Sequence, residues 1–506
     1  MKMTRKKLLA TLGLVMVMIF VAACSRGGGG EDASPTAAAT ATPTSVPAAD
    51  PEPNVGEEEQ EDNVEEGDAA SENGSITETA SDVIDMDGFE FIFCSHWWFE
   101  YISNEQTADA DGNLPTVTDQ VRLFMDTIAE LEEKYNATFV YKAYGDAATM
   151  ADEIQTSIMS GEMPFTIADL PANTTLARGG FTYDQSSIST LDVFDENVFD
   201  QFTTKYSVFD GKVTQSSFSF DDGSLGIFFN IDKINEFGLD DPFALYESGN
   251  WTFDAFRDIA IAATRVNADG STFWGIGAGG WLERLSLTSN GAKVVLDLGN
   301  GEFMYGLNEP AALESLNWVR GLFLDDKVVG EDADYRIFWQ EQNSLFLITY
   351  AWFATSFFAN EVDFNYGFIP YPRGPSATRQ VASLSGGPGR NWIMPRNLDN
   401  PEYAGILYYE LAAAVSAEMR DIFTNRFYAA GFSEKSMQSQ WDLLNNKVID
   451  NGWANFWNEN MQAAYNEFNG SGGVTRDPAK EPASTLSAFT DMINAWINDS
   501  KANFLE

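Results

Sequence analysis

Four tryptophans stand where an indole ring could meet a small molecule. Trp97 and Trp98 follow an apolar run, Phe89 to Cys94. Trp281 follows Gly277-Ala278-Gly279-Gly280, a flexible turn that exposes what comes next, and Trp352 closes a second apolar run, Leu345 to Thr349. An indole face stacks on apolar C–H surface, while carboxylates, amides and guanidinium groups hydrogen-bond a rim of hydroxyls. The polar candidates are Asp169, Asn173, Asp221, Arg390 and Asn391. Residues of these types suit the capture of an uncharged, hydroxyl-rich molecule such as a sugar, without chemical change to it.

The residues of common catalytic sites are scarce. His96 is the sole histidine, so a histidine triad would have to use it and a multi-histidine metal site is impossible. No HExxH motif and no Cys-pair metal motif is present. A pair of carboxylates could serve a glycosidase, but nothing in the sequence singles one out. Asp109-Ala110-Asp111-Gly112-Asn113 lacks the glycine and terminal glutamate of a calcium loop. The glycines of Ser385-Gly386-Gly387-Pro388-Gly389 allow close approach before Arg390 and Asn391, but have no GKS sequel and form no P-loop. No catalytic residue, cofactor or metal is therefore expected.

Thirty basic residues against 76 acidic ones give a formal charge of -46. Nucleic acid and anionic polysaccharides are poor partners for such a surface. A neutral ligand is unaffected, and the charge itself keeps a protein soluble. The 506 residues exceed one compact core and predict two lobes.

The elements that must position the candidates follow from periodicity. Strands are expected at Phe89 to Cys94, Ala137 to Tyr144 and Phe165 to Leu170. Between them Val121, Phe124, Met125, Ile128, Leu131 and Tyr135, then Ala147, Met150, Ile154 and Ile158, recur at helical spacing, the second helix stopping at Gly161. Strand–helix alternation predicts an α/β layer with a parallel sheet. Ligands meet such sheets at the carboxyl ends of strands, which places the loops at His96 to Trp98 and Asp169 to Asn173 in binding positions. Trp97 and Trp98 would point to opposite sides of an extended chain, so one of them should face the ligand. Further strands are expected at Gly223 to Ile231, Leu345 to Thr349 and Phe364 to Tyr371. Helices are expected at Thr252 to Thr264, Pro310 to Leu324 and Pro401 to Ser416, and Leu443 to Asn503 reads as mostly helical.

The first residues read as a secretory leader. Lys2, Arg5, Lys6 and Lys7 precede the apolar Leu8 to Phe20, too short for a spanning helix. Val21-Ala22-Ala23-Cys24 resembles a bacterial lipobox, with Val21 where leucine is usual. That resemblance implies cleavage after residue 23 and acyl chains, palmitate among them, on Cys24. Cys94, the other cysteine, then has no disulfide partner in the chain and is expected to be an inert buried thiol. Residues 24–85 are rich in Ala, Thr, Pro and then Glu, and lack aromatics. They cannot bury enough apolar surface to offset ordering, and are expected to act as a disordered tether.

Several phrases in the body resemble bacterial extracellular solute-binding proteins of the carbohydrate-uptake class, the group similar to maltose-binding protein. They are Phe229-Asn230-Ile231-Asp232-Lys233, Phe237-Gly238-Leu239-Asp240-Asp241-Pro242, Asn250-Trp251-Thr252-Phe253-Asp254-Ala255-Phe256 and Gly367-Phe368-Ile369-Pro370-Tyr371-Pro372-Arg373-Gly374-Pro375, with the apolar Ser344 to Trp352 between the last two. The resemblance runs from Phe89 to the C-terminus. It implies an α/β, two-lobe periplasmic-binding-protein-like fold with hinge-crossing strands and an interlobe cleft. Crossings are expected near residues 218–223, 368–372 and 431, so that 86–220 and 369–430 build one lobe and 221–368 and 431–506 the other. Trp352 matches a stacking tryptophan in that family's second lobe. The implied protein is a monomeric binding lipoprotein, held on the outer face of the cell membrane by lipid alone, that hands a sugar to the permease of an ABC importer. A glycoside-active or adhesive surface lipoprotein, or a binder of another polar nutrient such as a peptide, is the alternative.

Overall fold

The computed structural model describes residues 84–95, 119–143, 147–163, 165–170, 176–177, 179–209, 211–218, 224–277, 281–299, 302–330, 334–359, 361–379, 382–383, 391–448 and 459–502. Trp97, Trp98, Asn173, Asp221, Arg390, His96, the lipobox with Cys24 and nearly all of the expected tether lie outside the described residues.

The first sheet is built from β1 (Phe89–Ser95), β2 (Ala137–Ala143) and β3 (Ile167–Leu170), all parallel, with β1 between the other two. Helix α1 (Asp119–Tyr135) joins β1 to β2, and α2 (Ala147–Ser160) leads towards β3. β1 is apolar on both faces because both are covered, as parallel strands require. Phe91 and Phe93 face Phe124, Ile128 and Leu131 of α1. Cys94 faces Met150, Ile154 and Ile158 of α2. Burial pushes the Cys94 thiol up to about 12, so it holds its proton at neutral pH.

The second sheet begins with β4 (Leu225–Asn230), which turns through the Asn230 cap into α3 (Ile231–Phe237). Thr252 accepts the Ala255 N–H and starts α4 (Phe253–Ala263). Then come β5 (Thr272–Gly277), α5 (Leu282–Ser289), the hairpin β6 (Val295–Gly299) and β7 (Glu302–Tyr305), and α6 (Pro310–Leu324). They are followed by β8 (Val329–Gly330), α7 (Tyr335–Gln340), β9 (Ser344–Tyr350) and β10 (Tyr366–Ile369). The strand order is β8-β5-β9-β4-β10. β4 runs against β9 and β10, while β5, β8 and β9 are parallel. Gly275 lets β5 pass close under α4, since a Cβ there would sit 2.3 Å from the Ala260 carbonyl oxygen.

The chain then returns to the first sheet as β11 (Asn391–Ile393), antiparallel to β3. Helix α8 (Pro401–Ala429) packs along α1, and α9 (Glu434–Asn445) packs on β10. Between them Gly431 takes φ +107°. Helices α10 (Glu459–Asn469), α11 (Pro482–Ser487) and α12 (Thr490–Ala502) form a separate core with β7, α6 and Leu287 of α5.

One expectation needs correction. The helix expected to end at Ser416 continues to Ala429, because Met419, Phe423 and Phe427 keep facing the core among charged neighbours. Ser416 does not break it, since its hydroxyl is spent on the Val198 carbonyl. Among its described residues the tail is mostly helical, with Lys447–Val448 a short strand and residues 470–481 a turn. No expectation covered β5, β6, β7, β8 or β11, which are short and rich in glycine or polar residues.

Candidate functional site

The topology brings one end of each sheet to the crossings. Residues 214–218 run beside β11, with Ser216 and Trp392 exchanging both backbone hydrogen bonds, at 3.2 and 2.8 Å. β11 is antiparallel to β3, so this segment runs parallel to β3 and leaves at the carboxyl edge of the first sheet. It resumes as β4, which enters the second sheet where β5, β8 and β9 end. β10 ends at that same edge, and the chain returns into the first sheet at its carboxyl edge through β11. The crossings therefore join the two edges at which α/β sheets bind ligands.

The edge of the second sheet is aromatic. Trp281 follows β5, Tyr335 follows β8, and Tyr350 and Trp352 end β9. Trp281 meets Tyr350 edge-on, with ring centroids 5.2 Å apart, and Tyr350 stacks with Trp352 at 5.9 Å. Behind Trp352 lie Phe353 at 4.6 Å and Phe357 at 5.6 Å. Both tryptophans are partly buried and pack against the core. Burial raises the Tyr335 phenol above its usual range, opposed by polar contact with Thr349 and Trp281. Two guanidinium groups brace the wall. Arg284 lies 5.7 Å from the Trp281 ring centre and Arg336 lies 4.3 Å from that of Phe357.

The edge of the first sheet is polar and closed. Asp169 is 1% exposed and accepts a hydrogen bond from the Ser95 hydroxyl at 3.3 Å. Asn391 is fully buried in β11, opposite Leu170. Beneath them the Gln185 amide donates to the Trp392 carbonyl at 2.7 Å, Ser216 donates to Gln185 at 2.6 Å, and the Tyr408 hydroxyl sits 2.9 Å from Ser216. Burial, with Asp169 nearby, drives the Tyr408 phenol far above its usual range, so it stays a neutral donor.

Of the residues singled out from sequence, the fold joins Trp281 and Trp352 in one wall. It sets Asp169 and Asn391 within the first sheet rather than on open loops, since strand pairing with β1 and β3 covers both. Sequence reasoning passed over Tyr335, Tyr350, Arg284 and Arg336. Tyr350 stood in the Tyr350-Ala351-Trp352 ending and could have been found; Tyr335 follows a charged stretch that carried no signal. Among the described residues no group of His, Cys, Asp and Glu could hold a metal ion, and no helix is long and apolar enough to cross a membrane.

Two sheets linked through their carboxyl edges make a two-lobe α/β architecture. The chain belongs to the bacterial extracellular solute-binding protein family, whose profile matches residues 126–429. Solved structures share its fold at low identity. A cyclic α-maltosyl-1,6-maltose binding protein from Arthrobacter globiformis is 14% identical with TM-score 0.57, over 81% of this chain and 100% of that one. An ABC substrate-binding protein from Listeria monocytogenes, in complex with cycloalternan, is 15% identical with TM-score 0.55 over the same shares, 81% and 100%. A Mycobacterium tuberculosis protein in complex with glycerophosphocholine is 13% identical with TM-score 0.53, over 75% of this chain and 95% of that one. No curated protein sequence matches this chain.

Proposed function

We propose that this protein is the substrate-binding component of an ABC importer and takes an uncharged sugar or oligosaccharide between its two carboxyl edges. The observation that carries the reading is the contiguous Trp281–Tyr350–Trp352 wall at the edge where such sheets bind ligands. Partly buried indoles backed by a packed core offer flat apolar surface with little ordering cost, which suits the C–H face of a sugar ring. The formal charge of -46 favours a neutral ligand over an anionic one. The Arthrobacter protein is named for binding cyclic α-maltosyl-1,6-maltose and the Listeria structure holds cycloalternan, both of this class.

One of Trp97 and Trp98, with Asn173, Asp221 and Arg390, completes the proposed ligand shell. Asp169 and Asn391 support it from beneath. The two halves close on the ligand about the crossings and open to release it, unchanged, to a permease. The body works as a monomer on the outer face of the membrane, held by acyl groups on Cys24 and spaced from it by residues 25–85. Radiolabelled palmitate should enter the wild-type chain and not Cys24→Ser; equal labelling would remove the anchor from the reading.

The decisive experiment is a thermal-shift screen over mono- and oligosaccharides, with tryptophan fluorescence and chromatography of the recovered sugar. A binder at a hundredfold excess over Kd gains about 2.7 kcal/mol of stability. The sugar should come back intact. Hydrolysed sugar, or no stabilisation by any member of the panel, would sink the proposal. The glycerophosphocholine-bound fold relative favours one second reading, a non-sugar polar nutrient, and that compound belongs in the panel.

A further inference from the structure

We infer that Glu283, Thr475 and Arg476 are positioning residues for the Trp281 platform, so that the C-terminal segment sets the geometry of the ligand-facing wall. The inference rests on the proposed binding role of that wall.

Trp281 occupies the N-cap position of α5 without a side-chain capping bond, its polar contact being with Tyr335 instead. Where that N-cap sits is set by the first turn of the helix. Leu282 and Leu285 of α5 anchor in the core of the second sheet, while Leu287 anchors in the core of the C-terminal helices. Glu283 lies in that first turn with its side chain fully buried. A buried carboxylate demands partners, and burial accordingly raises the Glu283 carboxyl against the opposing pull of Arg476. Its partners come from 192 and 193 residues away: Thr475 donates its hydroxyl at 2.8 Å, and Arg476 forms a short ion pair with the same oxygen. The Arg476 guanidinium also lies 4.3 Å from the Phe323 ring centre, which limits its swing.

The turn that presents these two side chains is itself held. Arg320 of α6 donates to the carbonyls of Val474, Asp477 and Pro478 at 2.6, 2.8 and 3.0 Å. Gly473 is needed for the turn to close, since a Cβ there would sit 2.6 Å from the Glu467 carbonyl oxygen. The connection thus runs from α6 through Arg320 to the turn, through Arg476 and Thr475 to Glu283, and one residue on to Arg284, whose guanidinium lies by the Trp281 ring. Releasing Glu283 frees the first turn of α5 to shift, and Trp281 shifts with it.

The test uses the whole chain labelled with 5-fluorotryptophan, with no ligand present. Fluorine resonances of Trp281, Trp251 and Trp392 are assigned by single Trp→Phe substitutions. In Arg476→Met and Glu283→Ala the Trp281 line should move or broaden while those of Trp251 and Trp392 stay in place. Arg476→Lys, which keeps the charge, should restore the Trp281 line in part. The inference fails if the Trp281 line is unmoved, or if all three lines move together in every variant, which a merely structural role would produce. Because no ligand enters the experiment, a failed sugar screen and a failed positioning role give separate signatures.

Discussion

The two carboxyl edges have the same strand chemistry behind them and opposite surfaces. The second sheet ends in partly buried rings, Trp281, Tyr350 and Trp352. The first sheet ends in closed hydrogen bonds, Ser95 to Asp169 and the Gln185–Ser216–Tyr408 chain. Ring faces adhere without needing one exact orientation. Buried polar networks fix one orientation, because each member left unpaired costs free energy. The contrast assigns adhesion to the second edge and rigidity at the crossing to the first, where Ser216 and Trp392 are locked together.

Substitution should separate the two edges. Trp352→Ala removes a partly buried ring of the wall, so binding of the best sugar should weaken by about 2–3 kcal/mol, roughly 30- to 150-fold in Kd. Trp281→Ala should act in the same direction, and neither should shift the denaturant midpoint by as much as it shifts affinity. Equal affinity for wild type and Trp352→Ala in a titration would remove adhesion from this edge. Asp169→Asn should behave the other way. It weakens a buried, charge-assisted hydrogen bond, so stability should fall by about 1–3 kcal/mol with affinity changed less than threefold. A large loss of affinity at unchanged stability would instead make Asp169 a direct ligand contact.

How much of this was legible differs between the edges for a physical reason. Burial on both faces writes long apolar runs, so the strand at Phe89 to Cys94 and the strand ending at Tyr350 were readable from composition alone. Caps are local, so Thr252 and the start of the helix at Pro310 could be placed from their own sequence. Trp281 and Trp352 were visible as candidates because each follows a strand or a glycine turn. The polar edge was not visible. Gln185, Ser216 and Tyr408 lie 31 and 192 residues apart along the pairs they form, and no local pattern marks a serine whose partners are that distant. The same holds for Glu283, which reads as an ordinary helix-start acid until the fold brings Arg476 to it.

The smallest expected effect lies where the α8 helix docks against the first half. Glu402 in its first turn accepts hydrogen bonds from Ser189 and Thr190, which hold its carboxyl below its ordinary value of 4.5. A depressed carboxyl stabilises the fold above its unfolded pKa, and the contribution disappears as pH falls through the folded value. Glu402→Gln should therefore lower the melting temperature slightly at pH 7, with the gap from wild type closing as the solution is acidified below pH 4.5. The group is exposed, so the effect should be near the limit of measurement and should shrink further in salt. The value of the measurement is as a control on the comparison of edges. Glu402 supports α8, which carries Tyr408, so sugar affinity at pH 7 should be untouched by Glu402→Gln if the polar edge acts only through its own buried bonds. A change in affinity without a change in stability would mean that the first edge reaches the ligand through the docking of α8, and the division between an adhesive and a rigid edge would have to be redrawn.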